Sequence, residues 1–395
     1  TEETWNNLIA GNSGIDTITK LDNIESYASR IAGELKGYDP LEHFEKKKIK
    51  KMDCYTQYAL IAAKEAMESS GLLDADFDHD RAGALIATGI GGMLTFELEA
   101  QKLAAKGPRR VSPMFIPKMI SNIGTAEVAI KYDLRGINFN ISSACASANH
   151  ALGTAFRTIQ YGDADIILSG GAEASVTPLA VAGFASMKAL STRNDDPKTA
   201  CRPFDKDRDG FVIGEGAGVL VLEELEHAKK RGANILAEIV GYGATCDAYH
   251  ITAPAPNGEG GARAIKMALN DAGIKPEDVD FISAHGTSTP LNDKNETTAF
   301  KTVFGDYAQK VKINSTKSMI GHTLGAAAAI EAIVCVKSIQ TSKIHPTINQ
   351  INPDPECDLD YVPNKAIDFD VNVTVSNSLG FGGHNGVIVM RKYNN

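Results

Sequence analysis

Ile141-Ser142-Ser143-Ala144-Cys145-Ala146-Ser147-Ala148 is the stretch on which the reading of this chain turns. Ahead of Ser142, residues 137–141 (Ile-Asn-Phe-Asn-Ile) alternate apolar and polar side chains as a strand does. After Cys145, Ala148, Leu152, Ala155, Phe156 and Ile159 recur at helical spacing, and Gly162 stands where a helix of about four turns would stop. Cys145 is therefore expected in a strand-to-helix turn. There the unpaired N–H groups and the helix dipole favour negative charge, which lowers a thiol pKa and helps stabilise an oxyanion. A free cysteine is more often a small buried hydrophobe, so the nucleophile reading depends on what else the chain brings to it.

The size of the chain sets the frame for that search. Its 395 residues exceed one ordinary core and predict two domains or two fused halves. The composition, 43% apolar with 36 glycines, is that of a globular protein. No apolar run is expected to reach the length of a membrane span, and no secretory signal opens the sequence. The cysteines at 54, 145, 201, 246, 335 and 357 lack CxxC spacing, which argues against a zinc site or a disulfide framework and for a reduced, cytoplasmic protein. A net charge of −9 disfavours general nucleic-acid binding. Two basic knots stand out against it: Lys46, Lys47, Lys48, Lys50 and Lys51, then Arg109 and Arg110. Each reads either as solvated surface or as a docking patch for an acidic partner.

Taken outward from Cys145, the chain alternates strands and helices. Helical patterns cover residues 3–10, 52–70, 223–231, 260–272 and 324–340, several of them closed by glycine. Strands are expected at 82–88, 165–169, 218–222, 237–240, 278–284, 313–317, 371–376 and 386–391. The charged loop Asp205 to Gly216 imitates the start of an EF-hand, yet its twelfth position is Gly216, where a bidentate glutamate is required. An α/β protein made of two related halves, 1–234 and 235–395, is the economical reading.

Three polar, glycine-flanked loops of the second half then supply partners for the thiol: Ala284 to Pro290 with His285, Thr287 and Thr289; Lys317 to His322; and the Gly380 to Gly383 turn. Sites in α/β folds assemble on loops at the carboxyl ends of strands, and a thiol needs an imidazole or another electrostatic partner to act. Asp293, Glu296 and Glu331 are the candidate counter-charges for Lys317, since a buried lysine needs one.

With these motifs in place, the chain resembles the β-ketoacyl-[acyl-carrier-protein] synthases of the Cys-His-His type, most of all the type II elongation enzymes of bacterial fatty-acid synthesis. The likeness spans essentially the whole chain. It rests on SSACASANHA around Cys145, RPFDKDRDGFVIGEGAG at 202–218, AHGTSTPLND at 284–293, STKSMIGHTLGAAAAIEA at 315–332 and SNSLGFGGHN at 376–385. The resemblance implies a thiolase-like α/β fold whose two halves stack as αβαβα. It implies that Cys145 accepts the acyl group, that His285 and His322 act on a malonyl thioester, and that Lys317 and Glu331 are the charged support. Phe381 would gate the cysteine, its N–H and that of Cys145 forming the oxyanion hole. Thr287 and Thr289 would contact the phosphopantetheine arm, while Ile90, Phe115 and Phe184 would line the acyl pocket, with Phe115 supplied by the partner subunit of a homodimer. Bulky Ile90 implies a pocket that rearranges for longer chains. Lys47, Lys50, Lys51, Arg109, Arg110 and Lys188 match the basic contacts to acyl carrier protein. No metal or nucleotide cofactor is expected, beyond an alkali cation near Glu331 and Asn377.

Two neighbouring readings fit less well. A thiolase would carry a second cysteine in the 380–383 turn, and a non-catalytic chain-length factor would lack the nucleophile. One departure remains: the family opens with an RVVVTG-type strand ahead of the first helix, so the first-half sheet is expected to be one strand short.

Overall fold

A computed structural model describes residues 1–394. Two principal sheets carry the chain. Strands β1 (Ala82–Ala87), β2 (Ile166–Glu173) and β3 (Gly216–Glu223) form the first. Strands β4 (Glu238–Cys246), β5 (Phe281–Ser283), β6 (Lys312–Asn314), β7 (Val373–Gly380) and β8 (His384–Arg391) form the second, in the order β4-β8-β7-β5-β6. The two sheets repeat one topology: β1 is parallel to β2 and β2 antiparallel to β3, as β5 is parallel to β7 and β7 antiparallel to β8. Where β4 continues the second sheet beyond β8, β3 is an edge strand with no further partner beyond β2 among the described residues.

The helices packed around these sheets include α1 (Glu2–Ile9), α2 (Cys54–Ser69), α3 (Ile123–Tyr132), α4 (Ser147–Gln160), α5 (Glu259–Ala272), α6 (Pro290–Phe304) and α7 (Ala327–Thr341). Helices α4 and α7 touch both sheets and lie between them. Helices α2 and α3 cover the outer face of the first sheet, and α5, with α6 beside it, covers the outer face of the second. The layer order is αβαβα.

The strands dictate this stacking because their side chains alternate faces. In β2, Ile166 and Leu168 join Leu60 and Met67 of α2 in the outer core, while Ile167 turns inward to Leu152 of α4. In β8, Val387 and Val389 pack with Ile265 and Leu269 of α5, while Ile388 and Met390 face the middle layer. Each such aliphatic side chain contributes about 1.5–3 kcal/mol on burial, so both faces of each sheet must be covered. The middle layer is also tied by polar contacts. Asn149 of α4 donates through Nδ2 to Ser376 O at 3.2 Å, Ser378 Oγ at 3.1 Å and Gly386 O at 3.1 Å, all in the second sheet.

Several expectations change. Residues 137–141 are not a strand: only Asn138 bridges to Ala84, because the chain leaves β1 to enter the Cys145 turn and Asn140 accepts from Ser121 Oγ at 2.9 Å instead. Strand β6 ends at Asn314, and Lys317 opens a short helix to Ile320. Residues 324–341 are long and apolar enough to pass for a membrane span (mean hydropathy 1.4), contrary to the reading of the sequence. That window is 72% buried, because α7 lies between two sheets and must be apolar all round.

Candidate active site

The Cys145 turn is held from both sides. Ala144 adopts a left-handed φ of 51°, a conformation that costs an alanine about 1–2 kcal/mol. Ser147, the first residue of α4, compensates: its Oγ accepts from Ser143 N at 2.8 Å and donates to Ala144 O at 2.6 Å. Ser143 Oγ in turn bonds His150 Nδ1 at 2.6 Å. Cys145 is thereby placed just ahead of a helix N-terminus, buried, with the backbone N–H groups of Phe381 and of Cys145 itself directed at its sulfur.

His322 reaches that sulfur from the second half. Its backbone is pinned beside residues 212–214, donating to Val212 O at 2.7 Å and accepting from Gly214 N at 2.9 Å. Leu324 N–H donates to Nδ1 at 3.3 Å, which leaves the ring proton on Nε2, and Nε2 lies 2.9 Å from Cys145 Sγ. His285 follows β5. Its N–H and that of Gly286 donate to the Glu296 carboxylate at 2.7 and 2.8 Å, and its ring stands edge-on to His322 with centroids 5.3 Å apart. Of the three acids considered for Lys317, Glu331 is the partner, at 2.5 Å, with both side chains 1% exposed. Asp293 instead accepts from Phe204 N and lies 3.6 Å from Arg208.

Burial governs the electrostatics. It pushes both histidines well below their ordinary pKa, and the Lys317 ammonium pushes them further in the same direction, so both rings are neutral donors at physiological pH. Burial also raises the Cys145 thiol to about 11, against the pull of Lys317 and the Phe381 N–H. The net shift is therefore opposite to the lowering expected from the sequence, because desolvation of the thiolate exceeds the pull of Lys317 and the backbone donors. Alkylation of Cys145 by iodoacetamide is accordingly expected to accelerate about tenfold per pH unit from pH 7 to pH 10 without levelling near 8.5. Intact mass against time measures it, and a plateau near pH 8 would contradict the burial argument.

These side chains open on a cavity of about 480 Å³ lined by Ile90, Phe184, Lys188, Thr287, Thr289 and Phe381, besides the cysteine and both histidines. The Thr287 and Thr289 hydroxyls are 2.9 Å apart. Phe115 lies half-buried on a separate short helix and is not on this wall. Lys47, Lys50, Lys51, Arg109 and Arg110 are exposed outside the cavity. Reading the sequence missed Phe211, which follows Gly210 in the quoted charged motif and sets its ring 5.4 Å from that of His322. The EF-hand imitation is a fastening: Asp205 accepts from Ile351 N and Asn352 N, and Arg208 pairs with Asp354.

One ligating atom from each of Cys145, His285 and His322 lies within 4.8 Å of the others, near enough for a metal ion. Lys317 sets a positive potential at both rings that works against a divalent cation there. The same potential favours an oxyanion or an enolate. A buried thiol with paired backbone donors and two neutral imidazoles can therefore accept an acyl group and stabilise a carbanion equivalent beside it.

Known proteins agree with that chemistry. Residues 1–228 match the family model for the beta-ketoacyl synthase N-terminal domain, and residues 236–350 that for the C-terminal domain. A 3-oxoacyl-[acyl-carrier-protein] synthase 2 of Staphylococcus aureus (strain N315) is 54% identical over 99% of this chain and 94% of its own length. A protein of the same name from Synechocystis sp. is 50% identical over 99% of this chain and 94% of its own length. Among solved structures, a type II polyketide ketosynthase in complex with its acyl-carrier protein superposes with a TM-score of 0.92 at 40% identity, covering 100% of this chain and 95% of that one. A beta-ketoacyl synthase from Burkholderia phymatum gives the same TM-score at 35% identity and the same coverages. The fold is thiolase-like, and the chain belongs to the β-ketoacyl synthase family.

Proposed function

We propose that this protein is a 3-oxoacyl-[acyl-carrier-protein] synthase of fatty-acid elongation. It joins an acyl group carried on Cys145 to a malonyl thioester with loss of carbon dioxide. The observation that carries the reading is the Nε2–H of His322 at 2.9 Å from Cys145 Sγ, with His285 against it, in a cavity that both halves build.

The cycle is ping-pong. Cys145 sulfur attacks the carbonyl carbon of an acyl thioester on the carrier protein. The resulting oxyanion is held by the N–H groups of Cys145 and Phe381, each such donor being worth about 2.7–4 kcal/mol. The thiol proton leaves with the phosphopantetheine sulfur, which is expelled. Malonyl thioester then enters, its carbonyl oxygen taking hydrogen bonds from His285 and His322. Carbon dioxide departs, the enolate carbon attacks the acyl carbon on Cys145, and the cysteine sulfur is released as the leaving group. Neutral histidines suit this step because they donate to a growing enolate without protonating its carbon. Since both pKa values lie well below 6.5, condensation should lose its histidine-dependent rate only at pH values below that.

Thr287 and Thr289 are assigned to the phosphopantetheine arm, and Ile90 and Phe184 to the acyl chain. Phe381, in the turn between β7 and β8, is assigned to gating the cysteine. Phe115, away from its own chain's cavity, is assigned to the cavity of a second copy in a homodimer. The exposed Lys47, Lys50, Lys51, Arg109, Arg110 and Lys188 offer positive charge to an acidic carrier protein. Glu331 Oε2 and Asn377 Oδ1 are buried without hydrogen-bond partners, hard oxygen donors that would hold an alkali cation behind Lys317. A cytoplasmic location belongs to the same proposal. The test is intact mass after incubation with an acyl-carrier-protein thioester. An acyl adduct on Cys145 that disappears when malonyl thioester is added, with release of carbon dioxide, supports the reading; no adduct overturns it.

A further inference from the structure

Glu173, at the end of β2, is a fully buried acid that the cycle above does not use. Its two carboxylate oxygens receive four donors. Oε1 accepts from Thr88 Oγ1 at 2.9 Å and Ile90 N at 3.2 Å. Oε2 accepts from Gly89 N at 2.6 Å and Gly325 N at 2.9 Å. Burial raises the pKa of Glu173 while all four donors favour its ionised form, which is an acceptor only and here uses both oxygens.

The donors come from two segments that meet at the cavity. Gly89 and Ile90 form part of the wall assigned to the acyl chain. Gly325 follows Leu324, whose own N–H sets the tautomer of His322 and whose side chain also lines the cavity. The two backbones touch: a Cβ built on Gly325 would lie 2.1 Å from Gly89 N, and one built on Gly89 would lie 2.9 Å from Glu173 Oε2. No slack separates the acyl wall from the segment that aims the histidine.

We propose that Glu173 is a positioning residue that clasps the Gly89–Ile90 wall to the Leu324–Gly325 segment, so that displacement of Ile90 by the acyl chain is transmitted to His322. Acyl length then acts on the second half-reaction as well as on binding. The inference rests on the condensing-enzyme reading and on the place of Ile90 in the acyl cavity, and it adds a route by which chain length reaches the carbon–carbon bond-forming step.

Glu173→Gln tests it. A glutamine keeps the shape but turns an NH₂ group toward N–H or O–H donors, breaking the clasp on one oxygen. Cys145 acylation and single-turnover condensation on the pre-acylated enzyme are measured separately with butyryl, octanoyl and dodecanoyl primers. Acylation is expected to stay within about threefold of the parent while condensation falls about tenfold or more, since a misplacement of about 1 Å can cost on the order of a hundredfold and a smaller one proportionately less. The ratio of condensation rates between the shortest and longest primers is expected to change by about threefold or more. Thr88→Val removes one of the four donors to the carboxylate, together with the hydroxyl that accepts from Gly91 N at 3.1 Å, and keeps the other three, so it should move both readouts the same way by a smaller amount even where the glutamine variant does not fold. Equal losses in acylation and condensation at every primer length would overturn the clasp and leave Glu173 a structural acid. A parent enzyme that takes up no acyl group would overturn the condensing-enzyme reading itself.

Discussion

Cys145→Ala is expected to take up no acyl group from carrier-protein thioesters and to lose condensation by on the order of 10³-fold or more, the scale seen when a covalent nucleophile is removed. The informative part of the result is what survives. In the proposed cycle decarboxylation falls to His285 and His322, whose backbones are held by Glu296 and the 212–214 segment, with the His322 ring also bonded by Leu324 N–H, rather than by the thiol alone. The variant should therefore still release carbon dioxide from malonyl thioester, giving an acetyl thioester once the enolate is protonated. Mass spectrometry of the protein and of the carrier protein reads both halves. Loss of decarboxylation along with condensation would mean that the thiol orders the histidines. Retained elongation would mean that the nucleophile lies elsewhere.

Lys317→Met has the second large effect, for a different reason. It leaves Glu331 buried and unpaired, an arrangement that costs about 3–5 kcal/mol when one member of a buried ion pair is removed. The cost is smaller where the orphan acid can protonate, and burial already raises Glu331 to about 7. The melting temperature should fall, and fall less at pH 6 than at pH 8. A Lys317→Met, Glu331→Met double variant should recover most of the stability, since a well-packed apolar pair often replaces an ion pair at little cost. It should not recover condensation. Without the ammonium, the pKa values of His285 and His322 rise, because its repulsion is gone while burial, and at His285 also the neighbouring His322, remains. The acid limb of the condensation rate then moves to higher pH. Recovery of both stability and rate in the double variant would reduce Lys317 to a structural cation.

The elements legible in the sequence are those whose buried face is apolar and whose ends are marked. Helix α4 with Gly162 and helix α5 fall where periodicity places them, whereas β2 starts where expected but runs through Gly170 and Gly171 to Glu173, because both glycines pair in the sheet instead of ending it. Helix α6 was invisible because the side it buries carries Asp293, Glu296 and Thr297, which an apolar period cannot detect. The helix Met93–Lys106 begins after Gly92 with no capping side chain, so nothing announces its start. In the site, Cys145, His285, His322 and Lys317 stood out as chemically unusual residues in glycine-flanked loops. Glu173 did not, because one glutamate after a run of strand residues gives no local sign that its four donors come from residues 88–90 and 325. The sign of the Cys145 shift also depended on burial, which the spacing of a single helix does not record.

The middle layer also bears on how the protein is made on the ribosome. The inward faces of β1 and β2 and the side chains of α4 find their cover in α7 and β8, and Asn149 finds its acceptors at residues 376, 378 and 386. A nascent chain that has emerged only through residue 234 thus has α4 on the inner face of its first sheet, but the side of α4 that meets α7 and β8 is uncovered and Asn149 lacks its acceptors. The N–H of Phe381 and the ring of His322 do not yet exist beside the sulfur. The groups that the proposed cycle requires beside Cys145 are thus assembled only after residues 322 and 381 have been synthesised, and until then the thiol stands without them.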